Sequence, residues 1–174
     1  MLTTSFSLVL ILCMSGLGIR MIYEEQKKAG KIDPQNKLAF VLALLGMTLF
    51  LPSWFFLCPL DPWRVDPPAV IYWIGIAMAV AGTLLAVIAL VTLRGVENID
   101  HLETGGLFRY LRHPMYTGFI LWIMGWITAY GALMSLIAGA VSIACILYWA
   151  WLEEAVLINA YGDAYRKYRK TTLI

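Results

Sequence analysis

The sequence predicts an all-α integral membrane protein with five transmembrane helices and an amphipathic C-terminal helix on the cytoplasmic side. Three observations predict this fold: the composition, the spacing of the charged residues and the division of basic residues between loops. Of the 174 residues, 61% are apolar and 14% are charged, against roughly 45–50% and about 25% in soluble domains. So few charges cannot cover a soluble domain, and the net charge of +2 suggests no nucleic-acid partner.

Long stretches without Asp, Glu, Lys or Arg locate the helices. The longest runs from residue 113 to residue 152, and one crossing of the hydrocarbon core takes about 20 residues. This run therefore predicts two crossings, joined by a turn at Tyr130-Gly131-Ala132. The five predicted spans are 2–20, 38–58, 69–93, 115–130 and 133–152.

The first apolar run has a second interpretation, as a cleaved signal peptide. It lacks a basic segment at its start and an obvious small-x-small cleavage site before Arg20. Four further spans also follow it, so a transmembrane helix is the favoured interpretation.

Basic residues predict the orientation of the helices. Loops on one side of the predicted membrane carry twelve Lys or Arg residues, and loops on the other side carry Arg64 alone. By the positive-inside tendency, the N-terminus faces out and the C-terminus faces the cytoplasm. We interpret residues 1–174 as one domain, with a three-span part at 1–93 and a cofactor-binding part at 94–174.

The cysteines and the small residues of the third span are explained by packing alone. The odd set of Cys13, Cys58 and Cys145 is scattered through apolar stretches, which predicts neither a disulfide framework nor a metal site. Small residues recur in the third span at three- and four-residue spacing, which predicts a helix-packing face. They are Gly75, Ala79, Gly82 and Ala86.

The segment 103–118 carries polar residues that a bilayer does not explain. Gly105 and Gly106 permit a turn, and Pro114 favours the start of a helix whose first N–H groups point at the loop. Arg112 and His113 stand where these donors and the helix dipole favour an anion. The segment predicts a corner that holds a carboxylate or phosphate. An amphipathic connector with arginines on lipid headgroups is the alternative.

Two adjacent carboxylates, Glu153 and Glu154, directly follow the fifth span. Carboxylates at a membrane boundary are costly unless they are solvated or paired. Successive helix positions point about 100° apart, so we expect one to face the bundle and the other to face water. The inward one could accept hydrogen bonds from a cofactor's ammonium or hydroxyl groups. The alternative is a pair of interfacial charges balanced by Arg112 or by the C-terminal lysines.

Beyond the carboxylates, apolar and aromatic residues recur at helical spacing with basic residues between them. This pattern predicts an amphipathic helix on the cytoplasmic leaflet, with a possible interruption at Gly162-Asp163. Its apolar positions are Leu157, Tyr161, Tyr165 and Tyr168.

Together these segments resemble the isoprenylcysteine carboxyl methyltransferases and the related membrane phospholipid methyltransferases. The resemblance rests on Arg112-His113-Pro114-Met115-Tyr116-Thr117-Gly118, on Glu153-Glu154 about forty residues later, and on Tyr161-Gly162-Asp163-Ala164-Tyr165. It covers about residues 94–172. The resemblance implies a helical membrane enzyme that uses S-adenosylmethionine, enclosed between the last spans and the C-terminal segment.

By motif position, the resemblance implies which residues hold the cofactor. His113, Pro114, Met115 and Tyr116 would line its pocket, and Glu153 would hold it as well. Leu102 matches an upstream part of the family pattern. We add its neighbour His101 and the anion-holding Arg112 as candidate cofactor residues. An ammonium acceptor must lose a proton before methylation, and Glu154 or Tyr116 would be the catalytic group available for that step.

Trp149 departs from the family pattern at a position that concerns the substrate. Carboxyl-methylating members resemble one another in an arginine four residues before the cofactor-binding glutamate, where this chain has Trp149. A Trp face attracts cations, so the substitution favours a neutral or cationic headgroup such as a phospholipid amine over a prenylcysteine. Alternatively, Trp149 belongs to an interfacial aromatic belt with Tyr148 and Trp151.

The resemblance therefore predicts methyl transfer to a lipid or prenylated acceptor at the membrane, without a metal. Two alternatives stay open. Sterol and steroid reductases carry a similar His-Pro-x-Tyr segment and use NADPH, although the Glu153-Glu154 pair is not their feature. The other alternative is a small non-enzymatic membrane protein.

Overall fold

The computed structural model describes residues 3–32, 37–93 and 101–173. This part of the chain contains six α-helices and one 3-10 turn. This confirms the all-α fold. The start of the predicted first span at residue 2 and the first part of the cofactor-binding region, residues 94–100, lie outside the described residues. The helices are α1 (Thr4–Lys28), α2 (Lys37–Leu57), α3 (Ala69–Thr92), α4 (Pro114–Tyr130), α5 (Leu133–Tyr161) and α6 (Asp163–Arg169), with the 3-10 turn at Gly106–Arg109.

Four of the described helices, α1, α2, α3 and α5, are long and apolar enough to cross a membrane. Helix α4 has 17 residues, or about 26 Å at 1.5 Å per residue. It is shorter than the others but close to the thickness of the hydrocarbon core.

Helix α1 does not end near Arg20, as the spacing of charges predicted, but continues to Lys28. The charged residues of this extension lie at helical spacing and pair with one another. Arg20 forms an ion pair with Glu24, and Nζ of Lys27 lies 2.9 Å from the other Glu24 oxygen. Because i,i+4 and i,i+3 pairs meet on one helix face, these charges support the helix.

Helix α5 is also longer than predicted, since it passes through both carboxylates and ends at Tyr161 instead of Leu152. It stops at Gly162, whose φ of +55° is unfavourable for residues with a side chain. The predicted amphipathic helix is therefore divided at Gly162. Its first half belongs to α5 and its second half is the short helix α6.

Paired glycines bring α3 and α4 into close contact. A Cβ atom at Gly82 would lie 2.5 Å from the carbonyl oxygen of Gly118, and one at Gly118 would lie 2.6 Å from that of Gly82. Gly75 and Gly125 form a second such pair, seven residues from the first on each helix. The packing face predicted from the small residues of the third span is confirmed, because these glycines let the two backbones touch.

Helix α5 packs against both α1 and α4 and connects the α1–α2 pair to the α3–α4 pair. Its N-terminus is held at the turn predicted at residues 130–132. Gly131 takes a φ of +54° there, and its carbonyl oxygen accepts a hydrogen bond from the Val65 N–H at 3.0 Å. Buried Asp61 accepts hydrogen bonds from the Ser135 N–H at 2.6 Å and the Ser135 hydroxyl at 2.7 Å. Asp61 thus acts as the N-terminal cap of α5 from another loop.

Candidate active site

His113 lies at the opposite end of α4 from this turn, as the residue that precedes its first turn. The ring is buried and stacks on Tyr116, with ring centroids 5.6 Å apart. Its Nδ1 lies 3.6 Å from Oε2 of Glu153, and its Nε2 lies 3.8 Å from Oε1 of Glu154. The predicted helix start at Pro114 is confirmed, and it places an imidazole between two carboxylates of α5.

We expected one of the two carboxylates to face the bundle and the other to face water, but both reach the same imidazole. They differ in their other contacts. Oε1 of Glu154 lies 3.2 Å from Nε of Arg112, and Oε2 lies 3.4 Å from Nη2 of Arg169. The Glu154 side chain is only 14% exposed, whereas that of Glu153 is 43% exposed. Glu154 is therefore enclosed by two cations, and Glu153 remains accessible.

The C-terminal segment closes over the loop that precedes α4. The Arg112 N–H donates to the carbonyl oxygen of Leu173 at 3.0 Å, and Nη1 of Arg112 donates to that of Arg169, also at 3.0 Å. The Tyr168 hydroxyl donates to the carbonyl oxygen of Phe108 at 2.6 Å. Burial raises the pKa of Tyr168 to about 12, so this donor keeps its proton at neutral pH. Arg112 thus fastens the C-terminal segment.

His101 and Leu102 belong to a local turn. The His101 side chain is 55% exposed, and its Nε2 lies 3.3 Å from Oε2 of Glu103. The other oxygen of Glu103 accepts from the Gly105 N–H at 2.8 Å, a bond that lowers the pKa of this carboxyl group. These contacts order the turn but do not join His101 to the His113 cluster. Asp100, which precedes it, lies outside the described residues.

The remaining predicted residues line the interior beside His113. Pro114 is fully buried, Tyr116 is buried, and Met115 packs against the core of the bundle. Trp149 is only 2% exposed, so its interpretation as an interfacial belt residue is wrong. The structure thus brings His113, Pro114, Met115, Tyr116, Glu153, Glu154, Arg112 and Trp149 to one end of the bundle.

The sequence interpretation missed two residues of this region, both from α1. The Arg20 guanidinium lies 6.0 Å from the centre of the Trp149 ring, and both Arg20 and its partner Glu24 are buried. Tyr116 is close enough to Arg20 and Glu24 to interact with their charges. A signal was available, because charges four residues apart at the end of an apolar run are compatible with a continuing helix. The prediction overlooked this signal because it ended the first span at residue 20.

Comparison with known proteins gives matches among methyltransferases. The family model for phospholipid methyltransferase matches residues 69–164, more than half of the chain. A protein-S-isoprenylcysteine O-methyltransferase from Schizosaccharomyces pombe is 35% identical over 42% of this chain and 32% of its own length. A methanethiol S-methyltransferase from Pseudomonas deceptionensis is 28% identical over 79% of this chain and 57% of its own length.

A protein-S-isoprenylcysteine O-methyltransferase from Dictyostelium discoideum is 23% identical over 80% of this chain and 59% of its own length. The matched part of the chain thus spans between a third and three-fifths of these relatives. No solved structure matches the chain. The match to more than half of the chain, together with the motif residues gathered around His113, shows that this integral membrane protein belongs to the phospholipid methyltransferase family.

Proposed function

We propose that this protein transfers a methyl group from S-adenosylmethionine to a lipid or lipidated acceptor at the membrane boundary. The observation that carries the proposal is the position of His113 between Glu153 and Glu154 at the start of α4. Matches to methyltransferases of both lipidated and small acceptors support it. The family match favours methyl transfer over the reductase and the non-enzymatic alternatives.

The polar groups around His113 fit the proposed donor. The Nε2 atom of His113 and the Nε1 atom of Trp149 are buried without a hydrogen-bond partner among the described residues. Such buried polar atoms are costly in a folded protein, and a bound ligand is one of the groups that can satisfy them. The accessible carboxylate of Glu153 suits an ammonium group or ribose hydroxyls. When bound, S-adenosylmethionine supplies a methyl group on a positively charged sulfur.

The residues of the chain would contribute by binding, orientation and exclusion of water. Glu153 and His113 would hold the donor, and Pro114, Met115 and Tyr116 would form an apolar wall beside it. Such positioning and desolvation are effective for an in-line displacement. Glu154 is less suited to the role of base that the sequence suggested, because its two ion pairs would have to break first. Tyr116 remains a candidate for that role.

We further propose that α4 also crosses the membrane, as the fourth of five spans, and that the N-terminus faces out and the C-terminus faces the cytoplasm. Helix α4 packs along α3 through both glycine pairs and therefore shares its depth. A backbone β-bridge joins Arg64 to Ala132. It brings the α2–α3 loop, which carries a single basic residue, next to the α4–α5 turn at one end of the bundle. All twelve other basic residues belong to segments at the opposite end in this arrangement.

The acceptor has a second candidate class, a small thiol. The relative from Pseudomonas deceptionensis that carries methanethiol in its name aligns with 79% of the chain, so the alignment reaches into the N-terminal half. A thiol and a prenylcysteine differ in size, but each can present an anionic atom to the methyl group. The lipidated acceptor remains our primary proposal because the site lies at the membrane boundary.

Ligand-dependent stability tests the proposed donor. A ligand at about a hundred times its Kd stabilises the folded state by about 2.7 kcal/mol, so S-adenosylhomocysteine should raise the melting temperature of the detergent-purified full chain. NADPH should leave it unchanged. Incubation with S-adenosylmethionine and membrane lipids should then yield lipids heavier by one methylene unit. Stabilisation by NADPH alone would instead support the reductase alternative.

A further inference from the structure

Tyr165 of α6 carries a buried hydroxyl group without a hydrogen-bond partner. The residue is 1% exposed, and its Oη atom makes no hydrogen bond within the part of the chain that the structure describes. A buried hydroxyl group ordinarily has a partner, and one without a partner is costly to the folded state. Burial raises the pKa of Tyr165, so the hydroxyl keeps its proton and can donate a hydrogen bond.

Helix α6 places Tyr165 on the side of the candidate active site. Arg169 follows Tyr165 by one helical turn, and residues four apart lie on the same face of a helix. Nη2 of Arg169 lies 3.4 Å from Oε2 of Glu154, so this face of α6 meets α5 at the two carboxylates. Tyr165 is accordingly close enough to Glu154, Arg112 and Glu153 to interact with their charges.

The neighbouring Tyr168 shows how a tyrosine of the same helix serves the fold. Its hydroxyl donates to the carbonyl oxygen of Phe108 at 2.6 Å and fastens α6 to the 3-10 turn. The ring centroids of Tyr165 and Tyr168 lie 5.9 Å apart. The two rings pack side by side, but the Tyr165 hydroxyl forms no such bond to any described residue. Packing of the ring therefore explains the position of Tyr165 but not its hydroxyl group.

A second buried donor near Tyr165 also lacks a hydrogen bond. Nε of Arg112 makes none within the described residues, although it lies 3.2 Å from Oε1 of Glu154. A guanidinium N–H can only donate, and the protonated Tyr165 hydroxyl can donate as well. Both groups are thus suited to one acceptor. A carboxylate is the acceptor that forms the strongest hydrogen bonds with such donors, because it is charged.

We propose that Tyr165 is a donor-binding residue, whose hydroxyl binds, together with Arg112, the carboxylate at the amino-acid end of the methyl donor. This inference rests on the proposed function and assigns one group of the donor to α6. S-adenosylmethionine and S-adenosylhomocysteine both end in an α-amino acid group, which carries an ammonium and a carboxylate on one carbon. The accessible Glu153 suits the ammonium, and Tyr165 and Arg112 suit the carboxylate beside it.

The charges around Tyr165 are compatible with a bound carboxylate. Glu154 would repel it, but Arg112 and Arg169 both pair with Glu154 and offset its charge. Because α6 contributes Tyr165, the bound carboxylate would connect α6 to the start of α4. The donor should therefore slow amide hydrogen exchange in residues 163–169.

Binding of two matched ligands tests the inference. The ligands are S-adenosylhomocysteine and its decarboxylated analogue, which share the adenosine, the thioether and the amine and differ in the carboxylate. We expect the wild-type full chain in detergent to bind S-adenosylhomocysteine more tightly by roughly ten-fold or more, as for a hydrogen bond to a charged group. Tyr165→Phe should weaken binding of S-adenosylhomocysteine by roughly ten-fold and leave the affinity for the analogue unchanged.

The melting temperature of the ligand-free protein separates a ligand contact from support of the fold. Tyr165→Phe removes a buried hydroxyl without a partner, so the melting temperature should stay the same or rise. Tyr168→Phe is the matched control on the same helix, because it leaves the carbonyl oxygen of Phe108 without its donor. This control should lower the melting temperature and keep the preference for the ligand with the carboxylate.

The outcomes distinguish the inference from the proposed function. Wild-type affinity for S-adenosylhomocysteine in Tyr165→Phe would overturn the inference and leave the proposed function intact. Equal weakening of both ligands in this variant would do the same, because the hydroxyl would then bind another part of the donor. A wild-type protein that does not bind S-adenosylhomocysteine would overturn both.

Discussion

Nδ1 of His113 lies 3.6 Å from Oε2 of Glu153, although the two residues are forty positions apart in the chain. Helices α4 and α5 run antiparallel from the turn at Gly131, and each rises about 1.5 Å per residue. His113 and Glu153 therefore return to the same level at the other end of the hairpin. The candidate donor site depends on this geometry, and the first prediction tests it.

Glu153→Gln and His113→Ala should each weaken binding of S-adenosylhomocysteine while the protein stays folded. Loss of a hydrogen bond to a charged group costs about 1.5–3 kcal/mol, or roughly ten- to hundred-fold in affinity. Titration calorimetry on detergent-purified protein measures this change. Asp163→Asn is the control, because its side chain is 83% exposed and pairs with Arg166. Wild-type affinity in both site variants would place the donor elsewhere.

Glu154→Gln should act mainly on the C-terminal segment, because Glu154 joins Arg112 and Arg169. We expect local stability to fall by about 1–3 kcal/mol, below the range for a fully buried pair because Arg169 is half exposed. Amide hydrogen exchange in residues 163–173 should accelerate, with a smaller effect on S-adenosylhomocysteine binding than that of Glu153→Gln. Unchanged exchange would show that Glu154 does not hold this segment.

Gly118→Ala should destabilise the bundle, because the new Cβ would lie 2.6 Å from the carbonyl oxygen of Gly82. Helices α3 and α4 would have to separate, at a cost of about 1–3 kcal/mol for overpacking. Gly18→Ala is the matched control, since a Cβ there meets nothing within 4 Å. That substitution should be neutral or should stabilise α1 by up to about 1 kcal/mol. Thermal unfolding in detergent compares the two, and equal melting temperatures would contradict the α3–α4 contact.

The proposed topology predicts which residues share a side of the membrane. Lys27 and Lys170 should react with an impermeant amine reagent from the cytoplasmic face, and a tag at Gly131 should be reached only from the opposite face. This expectation rests on the distribution of basic residues, with twelve in the loops of one side and one in the loops of the other. Labelling of Gly131 from the same face as Lys27 and Lys170 would show that the α4–α5 hairpin does not cross the membrane, and would contradict the five-span arrangement.

Much of the fold could be predicted because the bilayer imposes simple rules on composition. Apolar length locates membrane helices, Gly131 marks the turn, and the small residues around Gly82 mark a packing face. Pro114 likewise marks the start of α4 from its own chemistry. Each of these signals is local. The structure confirms the turn, the packing face, the start of α4 and four of the helices as long and apolar enough to cross a membrane. The motif around His113 and the Glu153-Glu154 pair added the family, which the comparison confirmed.

Tertiary packing decided what local signals could not. The spacing of charges predicts that the first span ends at Arg20, but the ion pair between Arg20 and Glu24 on one face lets α1 continue and brings a cation to Trp149. Helical periodicity alone predicts that the side chains of Glu153 and Glu154 point in different directions. The buried ring of His113 receives both, because an imidazole offers a nitrogen on each side and lies between them. The sequence by itself determined which helices form, whereas the charge environment of the site arose only where α1, α4 and α5 meet.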